Sequence, residues 1–559
     1  MTMPRDGFAE ACFLLERVCR WEPLFTYPRY AHADAGTVRA ILRAGHEFAD
    51  AVLAPTNVEG DLTGARLHDG RVCMPEGFRH AYRQYCADGW PGFDLPRDYG
   101  GQDLPLLAQV AFAEQVNRAN VAFGMLPIML RAGAQLLLEH GTPALVARVV
   151  PHLASGEWGA TICISEPQAG SDVGRITTRA VPCADGAFAI SGTKCWISYG
   201  DHDLTAQAVH FLLARETGAP AGTRGLSLFL VPRLRFDDAS RNGWSVLRIE
   251  DKLGLHGSPT CQLGFDDAVG YRIGLPHEGL RAMFTMVNLM RLEVAVQGVA
   301  LAAVAADKAA AYATQRLQGG AGDAPPVPIA THADIQRLLR GMQARVLPLR
   351  ALVYRLAYLL DVARADADPD KRAEALHTAE WWLPVCKTCA AETAFEVASD
   401  ALQVAGGFGY TRDGGIEQHL RDARVMSVYE GTSGIQALDL VTRKVRRDGG
   451  RRALSICGTM RDAAAESDAA WLLPVVEQLV QATHAVVAAE ARHAEAVAWD
   501  YLKLAGLAGC AWMWAEMLAA EDGADAGHSP RRTEGECFIR YWIPQVQVHA
   551  ARVTGCVGD

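Results

Sequence analysis

The sequence predicts an α+β fold in which a helical region, a β unit, a helical bundle and a further helical segment follow one another. Apolar residues recur with helical spacing over about the first 150 residues and again from Leu280 onward. Between these regions, short apolar runs are separated by Gly, Pro and Asp, as strands are separated by turns. The 559 residues, 50% of them hydrophobic, suffice for about three or four packed domains.

The N-terminal helical region is predicted from one apolar face. Apolar residues recur at the spacing of an amphipathic helix at Val38, Ile41, Leu42, Phe48 and Val52. We expect Pro55 to end this helix, because proline lacks the N–H that a helix interior needs. Residues 105–150 show the same periodicity and predict further helices.

The β unit is predicted from five short runs in the middle of the chain. Each run is six or seven residues long, and they cover residues 159–165, 192–198, 209–214, 226–231 and 260–265. Turn-forming residues separate them. Together they predict an antiparallel sheet or barrel of about 120 residues.

The C-terminal half is predicted to be helical again. Ala- and Leu-rich stretches with helical spacing surround a Gly/Pro-rich loop at residues 319–328, and a last helical segment follows Lys444. The predicted segments are an N-terminal extension, an N-terminal helical domain, a middle β domain, a helical bundle and an extra helical segment. They span residues 1–34, 35–157, 158–275, 276–445 and 446–559.

The composition argues against several function classes. With 54 basic and 64 acidic residues, the net charge is −10, which disfavours nucleic acid as a partner. The fourteen cysteines lack framework spacing, as is typical of reduced cytoplasmic proteins. The N-terminus does not resemble a signal peptide, and the apolar run at residues 504–515 is too short for a membrane span. The lone Cys386–Cys389 pair supplies only two ligands, so we expect no metal site.

Three polar segments follow apolar runs and are candidates for binding. They are Ser165–Asp172, Lys194–Gly200, and a longer segment that starts at Gln403–Gly407 and ends at Tyr429–Thr432. Each places hydroxyl residues and glycines where main-chain N–H groups can reach a flat polar heterocycle or a pyrophosphate. One such segment alone is as often an ordinary turn, whereas three in this order are much more specific.

With these motifs the chain resembles the acyl-CoA dehydrogenase family over residues 35–445. Family segments of the form T-E-P-x-x-G-S-D, W-I-T, Q-x-x-G-G and Y-E-G-T correspond to Ser165–Asp172, Trp196–Ser198, Gln403–Gly407 and Tyr429–Thr432. The resemblance implies a helical domain, a β domain and a four-helix bundle. It is tighter to a long subclass, the enzymes similar to 3-methylmercaptopropionyl-CoA dehydrogenase, which carry an extra C-terminal helical segment.

The resemblance implies oxidation of the Cα–Cβ bond of a CoA thioester, with a carboxylate removing the α-proton and FAD taking the β-hydride. Glu430 matches the family's base, and its main-chain N–H matches a group that holds the thioester oxygen. Some relatives carry the base just before an arginine in an earlier helix. That position is Met290 here, which cannot take a proton, and Glu293 lies two residues past the arginine.

Further residues carry over by position. Ser165 and Ser198 match hydroxyls that bind the flavin ring, and Trp196 matches the side chain that shields its edge. The other implied FAD contacts, some of them from a neighbouring subunit, are Cys163, Arg316, Gln403, Gly406, Gly407 and Thr432. The implied CoA contacts are Ser171, Asn288, Arg291 and Gly431.

Plainer interpretations stay open for some of these residues. Trp196 could be a core residue, Arg316 a surface charge, and Asn288 a local helix bond. The family's two flavin-binding threonines are serines here. Gly319 replaces an aromatic residue of many relatives, and Ala405 replaces a bulkier one.

Three functions are compatible with the resemblance. The first is a dehydrogenase that passes electrons to an electron-transfer flavoprotein, assembled as a homodimer or a dimer of dimers. The second is a flavin oxygenase or oxidase, in which O₂ is the acceptor and the substrate is an unusual CoA ester of secondary metabolism. The third is a flavin scaffold that binds nucleic acid, which the acidic balance and the retained Glu430 disfavour. The acyl group itself, and whether CoA or a carrier protein bears it, stay open.

Overall fold

The computed structural model describes residues 4–184, 186–521 and 529–555. The chain divides into two compact units, each drawn from more than one predicted domain. The sheet unit consists of residues Gly45–Leu104 and Ala119–Met290. The helical unit consists of Met1–Ala44, Pro105–Arg118 and Arg291–Asp559.

The N-terminal part of the chain is helical, as predicted. Its helices are α1 (Gly7–Phe13), α2 (Ala35–Phe48), α3 (Ala54–Thr63), α4 (Glu76–Ala87), α5 (Leu106–His140) and α6 (Pro143–Ser155). The expectation that Pro55 ends a helix is wrong, because a π-helical turn at Ala49–Leu53 joins α2 to α3 and Pro55 lies in the first turn of α3. A first-turn N–H has no helical partner, so proline costs nothing there.

The strands of the sheet unit overlap all five predicted runs, although the strand at the first run, 159–165, ends at Cys163. A small hairpin of β1 (Arg66–His68) and β2 (Arg71–Cys73) precedes them. The main strands are β3 (Trp158–Cys163), β4 (Arg179–Pro182), β5 (Phe188–Ser198), β6 (Gln207–Glu216), β7 (Leu226–Pro232), β8 (Trp244–Ile249) and β9 (Thr260–Ile273). The hairpin, β4 and β8 are strands that the sequence analysis missed.

The main strands of the described chain form a mixed sheet that closes on itself. Pairing runs from β6 through β4, β5, β9 and β7 back to β6, which makes the sheet a barrel, with β3 added on β6 and β8 on β9. Of the expected antiparallel sheet or barrel, the barrel is present, but its pairing is mixed, because β3 and β4 both run parallel to β6. Parallel neighbours need long connections, and β3 and β6 are separated by more than forty residues.

The helical unit contains long, close-packed helices. The first part comprises α7 (Gly279–Gln315, from its Arg291 onward), α8 (Ala333–Ala365), α9 (Pro369–Gly409), α10 (Glu417–Ala423) and α11 (Ser433–Leu438). The predicted Gly/Pro-rich loop lies between α7 and α8. Alanines from α7 and α9 share one core with Leu338 and Met342 of α8. The small alanine side chains allow these helices to approach one another closely.

The extra C-terminal segment is helical and packs on this bundle. Its helices are α12 (Arg451–Glu466), α13 (Leu473–Ala488), α14 (Ala491–Ala496), α15 (Ala498–Ala519), α16 (Pro530–Tyr541) and α17 (Ile543–Gly555). A Cβ at Gly509 of α15 would lie 2.8 Å from the ring of Trp382 in α9. The indole of Trp514 donates a hydrogen bond to the carbonyl oxygen of Ala344 in α8 at 3.1 Å. Glycine at 509 thus sets the close approach of α15 to the bundle.

Segments near both limits of the described chain meet in the helical unit through charged side chains that are buried or partly buried. Arg5, just before α1, pairs with Glu10 of α1 at 2.5 Å and with Glu534 of α16. Arg531 of α16 also pairs with Glu10, at 2.9 Å. The predicted N-terminal extension is therefore part of the helical unit.

Helices α5 and α7 are long and apolar enough to cross a membrane, by length and composition. Their most apolar windows are 89% and 94% buried within the structure. Core helices show the same burial, so these two helices are weak evidence for a span. The absence of a membrane span stays a prediction.

Candidate active site

Glu430 lies in a short loop of the helical unit with an unusual main-chain conformation. We call residues 426–432, which lead into α11, the Glu430 loop. The φ angles of Glu430 and Gly431 are +52° and +89°. A positive φ is unfavourable for glutamate, and such strain persists only where the surroundings fix it.

Hydrogen bonds from neighbouring helices hold the Glu430 main chain. Arg291 Nε of α7 donates to the carbonyl oxygen of Glu430 at 3.3 Å, and Gln436 Nε2 of α11 donates to the same oxygen at 3.0 Å. Thr432 is the N-cap of α11, where its hydroxyl accepts from the main-chain N–H of Ile435 at 3.3 Å. The structure thus brings the predicted residues Arg291, Glu430, Gly431 and Thr432 together.

Lys387 is a residue of this site that the sequence analysis missed. It lies in α9, its side chain is fully buried, and its ammonium donates to the carbonyl oxygens of Met426 at 2.7 Å and Gly431 at 2.8 Å. The available signal was a single lysine within the otherwise apolar run from Trp381 to Cys386 and beyond. An isolated charge on a buried helix face needs polar partners.

Burial and two neighbouring cations have opposite effects on the pKa of Glu430. Burial raises the pKa of the Glu430 carboxyl group, while the charges of Arg291 and Lys387 oppose that rise. Burial lowers the pKa of Lys387 to about 8, and the charge of Glu430 opposes this shift. A carboxylate whose pKa is raised is a stronger base and is suited to accept a proton.

The two alternative base positions both lie on α7. Met290 is buried in α7. Glu293 is also buried, and its carboxylate accepts a hydrogen bond from Asn117 Nδ2 of α5 at 3.0 Å. Tyr429 of the Glu430 loop donates to Gln297 Oε1 at 2.5 Å. These contacts give Glu293 a structural partner on another helix.

Replacing Gly431 with alanine is expected to destabilise the Glu430 loop. Its φ of +89° disfavours any Cβ, and an added Cβ would lie 2.6 Å from Gln436 Nε2, which holds the Glu430 carbonyl. We expect a loss of about 1–3 kcal/mol in the free energy of unfolding. Chemical denaturation measures it, with Gly434→Ala as control, since a Cβ at Gly434 meets only Thr432 Oγ1, at 4.0 Å. Equal stability of the two variants would contradict the expectation.

In the sheet unit, a buried ion pair organises the Ser165 segment. Lys194 of β5 donates to Glu166 Oε1 at 2.9 Å and to the carbonyl oxygen of Ile164 at 3.0 Å. Glu166 also accepts from the main-chain N–H groups and hydroxyls of Thr177 and Thr178. Burial disfavours the ionised carboxyl, but Lys194 and the threonine bonds outweigh it and lower the pKa of Glu166 to about 2.

The same arrangement places Ser165 beside the strand that carries Trp196. Cys195 N–H donates to the carbonyl oxygen of Ser165 at 3.0 Å. The register of β5 on β9 shifts between Lys194 and Ile197, and within this irregularity Trp196 has a φ of +64° and is 60% exposed. A core role for Trp196 is thereby excluded. Irregularities of this kind re-aim side chains next to functional sites.

Ser198 and Cys163 are the last residues of two strands of the sheet, β5 and β3. Ser198 is partly buried and pairs with Thr260 of β9. The thiol of Cys163 is fully buried and lies 3.5 Å from Thr161 Oγ1, and burial raises its pKa to about 12. The thiol of Cys163 is therefore inaccessible, and the cofactor contact of this residue stays a prediction.

The remaining predicted residues are mostly exposed. Gln403, Gly406 and Gly407 lie at the end of α9, which breaks at Gly406, where φ is +61° and ψ is −142°. Arg316 follows α7 and donates to Gln318 Oε1 at 3.4 Å, in line with a surface charge. Ser171 is exposed, and Asn288 is partly buried within α7.

These groups fit a flavin nucleotide in their chemistry. The sheet unit offers serine hydroxyls that are not fully buried and an exposed indole, and the helical unit offers an exposed amide and bare glycines where a Cβ would meet nothing within 4 Å. Open glycine main chain is what a pyrophosphate needs for close approach. Within the residues that the structure describes, no group of three or more His, Cys, Asp or Glu could hold a metal ion.

The chain matches family models along most of its length. The models are described as the acyl-CoA dehydrogenase N-terminal, middle and C-terminal domains and as acetyl-CoA dehydrogenase C-terminal like. They match residues 36–157, 161–268, 277–445 and 454–556. The last match begins within α12 and extends through α13–α17.

Curated relatives cover nearly the same range. The chain is 39% identical over 499 residues to 3-methylmercaptopropionyl-CoA dehydrogenase of Ruegeria pomeroyi, which covers 88% of this chain and 83% of that protein. It is 33% identical over 487 residues to a broad-specificity linear acyl-CoA dehydrogenase of Mycobacterium tuberculosis, covering 83% and 78%.

Solved structures share the fold. An acyl-CoA dehydrogenase from Bacillus anthracis in complex with FAD superposes with a TM-score of 0.75 at 21% identity, covering 94% of this chain and 90% of that one. A glutaryl-coenzyme A dehydrogenase in complex with glutaryl-CoA superposes with a TM-score of 0.63 at 27% identity, covering 75% and 97%.

Proposed function

Because the chain belongs to the acyl-CoA dehydrogenase family, we propose that it oxidises the Cα–Cβ bond of an acyl-CoA thioester with Glu430 as the base. It is thus a flavin-dependent oxidoreductase, in which FAD supplies the hydride acceptor. The observation that carries the proposal is the geometry of the Glu430 loop. It presents a carboxylate of raised pKa beside two cations, on a main chain fixed by Arg291, Gln436 and Lys387.

The chemistry explains why the carboxylate needs this setting. A C–H next to a thioester is a weak acid, so the charge that develops on the thioester oxygen must meet donors already in place. The described bonds to the Glu430 main chain go to its carbonyl oxygen. We assign its N–H to the thioester oxygen, so that one residue binds the oxygen and removes the proton.

The remaining assignments follow the predicted roles. Ser165, Ser198 and Trp196 receive the flavin ring, and Gln403, Gly406 and Gly407 receive the pyrophosphate and adenosine from a second subunit. Arg291, Asn288 and Ser171 receive CoA. This division makes a homodimer, or a dimer of dimers, the functional assembly. We place the protein in the cytoplasm, with an electron-transfer flavoprotein as the acceptor.

The names of the two curated relatives described above suggest a substrate class for this protein. The Ruegeria protein is named for a short thioether acyl-CoA, and the mycobacterial one for linear acyl-CoAs. We therefore propose a short or linear acyl chain, with thioether esters as the first candidates.

Anaerobic reduction of the holoenzyme tests the proposal. Purified protein is expected to be yellow, and one or more short, linear or thioether acyl-CoA esters should bleach it without oxygen. A protein that binds no FAD, or whose bound FAD no member of this panel reduces, would refute the proposal.

A second measurement identifies the acceptor. The substrate-reduced enzyme is expected to reoxidise rapidly with an electron-transfer flavoprotein and slowly in air. Rapid reoxidation in air with incorporation of oxygen into the product would instead identify the oxygenase.

A further inference from the structure

Lys387 places a positively charged ammonium in the interior of the helical unit, which is energetically unfavourable and therefore calls for a reason. It lies on a buried face of α9, and its described hydrogen bonds go to two main-chain carbonyl oxygens. Burying an ammonium without a carboxylate at hydrogen-bond distance is unfavourable. A methionine of similar length would fill the same space without that cost. The two carbonyl oxygens that the Lys387 ammonium contacts therefore indicate the role of its positive charge.

The two oxygens belong to the two ends of one loop. Met426 opens the Glu430 loop and Gly431 directly follows the glutamate. A single side chain thus joins the two ends of a segment that contains two successive positive φ angles. With Arg291 and Gln436 on the Glu430 carbonyl, this fixes the main chain on both sides of Glu430.

The charges around Glu430 come from several elements. Arg291 of α7 and Lys387 of α9 both stabilise its carboxylate. Lys387 in turn faces Glu392 of its own helix, whose carboxylate also accepts from Ser433 at 2.6 Å. Arg291 faces Asp439 and Arg443, which follow α11. Among these groups, Lys387 is the cation that also ties the loop ends.

We propose that Lys387 is a positioning residue for Glu430, which ties both ends of the Glu430 loop and supplies a positive charge to its carboxylate. The proposal rests on the role of Glu430 as the base. It adds a residue that no carried-over motif includes. Lys387 acts through Glu430 and is not itself a proton acceptor in the reaction.

The first test measures the Glu430 carboxyl group directly. Infrared difference spectra of the holoenzyme at stepped pH report its protonation, and Glu430→Gln identifies the band. In Lys387→Met, we expect the midpoint to rise by about one pH unit or more, which is roughly a tenfold change in the proton equilibrium. An unchanged midpoint in a folded Lys387→Met variant would overturn the proposal.

Lys308 provides a matched control in the same unit. It is a partly buried lysine of α7 whose ammonium donates to the carbonyl oxygen of Gly415 at 2.9 Å, and burial lowers its pKa. Lys308→Met removes a comparable ammonium away from the Glu430 loop. We expect it to leave the Glu430 midpoint unchanged, and an equal shift in both variants would show that the effect is not specific to Lys387.

The second test uses Lys387→Arg, which keeps the charge and serves where Lys387→Met does not fold. Because the pKa of Lys387 is lowered to about 8, the rate of flavin reduction should fall as the pH rises past that value. Arginine stays charged throughout this range. In Lys387→Arg, the rate of flavin reduction should no longer fall at alkaline pH. Because the guanidinium group differs in shape from an ammonium, the pH-independent rate of this variant should be lower than the wild-type rate. The same alkaline limb in the wild type and the variant would overturn the proposal.

The two proposals fail in different ways. A wild-type holoenzyme that no acyl-CoA reduces refutes the proposed function, whereas the infrared titration still measures the effect of Lys387 on Glu430. A wild-type enzyme that is reduced normally, with an infrared midpoint unmoved in Lys387→Met, refutes the role of Lys387 alone.

Discussion

Glu430→Gln is expected to abolish flavin reduction by acyl-CoA, with a rate loss of about 10³-fold or more, while FAD remains bound. Glutamine has nearly the same shape, so the main-chain contacts from Arg291 and Gln436 can persist. It cannot accept the α-proton. The loss should therefore appear in the rate of the chemical step and not in the binding of substrate or cofactor.

Stopped-flow reduction under anaerobic conditions measures this loss, and the flavin spectrum of the resting variant checks that FAD is retained. Glu293→Gln is the matched control, since Glu293 is a buried carboxylate hydrogen-bonded to Asn117. It should keep most of the reduction rate. A variant at Glu430 that is still reduced at the wild-type rate would contradict its assignment as the base.

The second large effect concerns the buried pair of Glu166 and Lys194. Glu166→Gln leaves the fully buried Lys194 ammonium without a carboxylate. Removing one partner of a buried pair typically costs about 3–5 kcal/mol. Because the pair fixes the Ser165 segment beside β5, we also expect weaker retention of FAD.

Chemical denaturation measures the loss, and the double variant Glu166→Gln with Lys194→Met should recover part of it because no charge is then left buried. Glu216→Gln is the control, since it breaks a partly exposed pair with Arg272 in the same barrel and should cost about 1 kcal/mol or less. Equal losses at positions 166 and 216 would contradict the argument.

The same pair predicts how stability depends on pH. The pKa of Glu166 is lowered in the folded state from 4.5 to about 2. Its contribution is therefore fully present above the unfolded value and is lost as the pH falls through this interval. Wild-type protein should lose stability between pH 4.5 and about 2 more steeply than Glu166→Gln, which has no carboxyl group to titrate.

Much of the fold could be predicted because its signals are local. The five predicted strands and the order of helical and β regions rest on periodicity within short windows. β4 and β8 were missed since four- and six-residue strands with exposed polar positions carry little pattern. The parallel pairing on β6 is a non-local property, which no single window contains.

The residues of the candidate site also divide into those that a local motif predicts and those whose roles depend on contacts made only in the folded chain. Glu430, Gly431 and Thr432 lie in one motif, and the structure places Arg291 beside them. Lys387 and Gln436 could not be inferred, because their roles depend on main-chain oxygens that only folding brings within reach. Glu166 lay within a recognised motif, but its partner Lys194 is 28 residues away.

The pairing of Arg5 with Glu534 bears on the order in which the protein folds during synthesis. Arg5 and Glu534 are 529 positions apart, and the helical unit also takes in residues from the middle of the chain. Because α16 and α17 belong to this unit, the unit cannot complete its core until residues 530–555 have emerged from the ribosome. The contiguous barrel strands, in contrast, are all available once residue 273 has emerged. We therefore expect the barrel to fold before the helical unit, in which Arg5 pairs with Glu534 only after α16 has been synthesised.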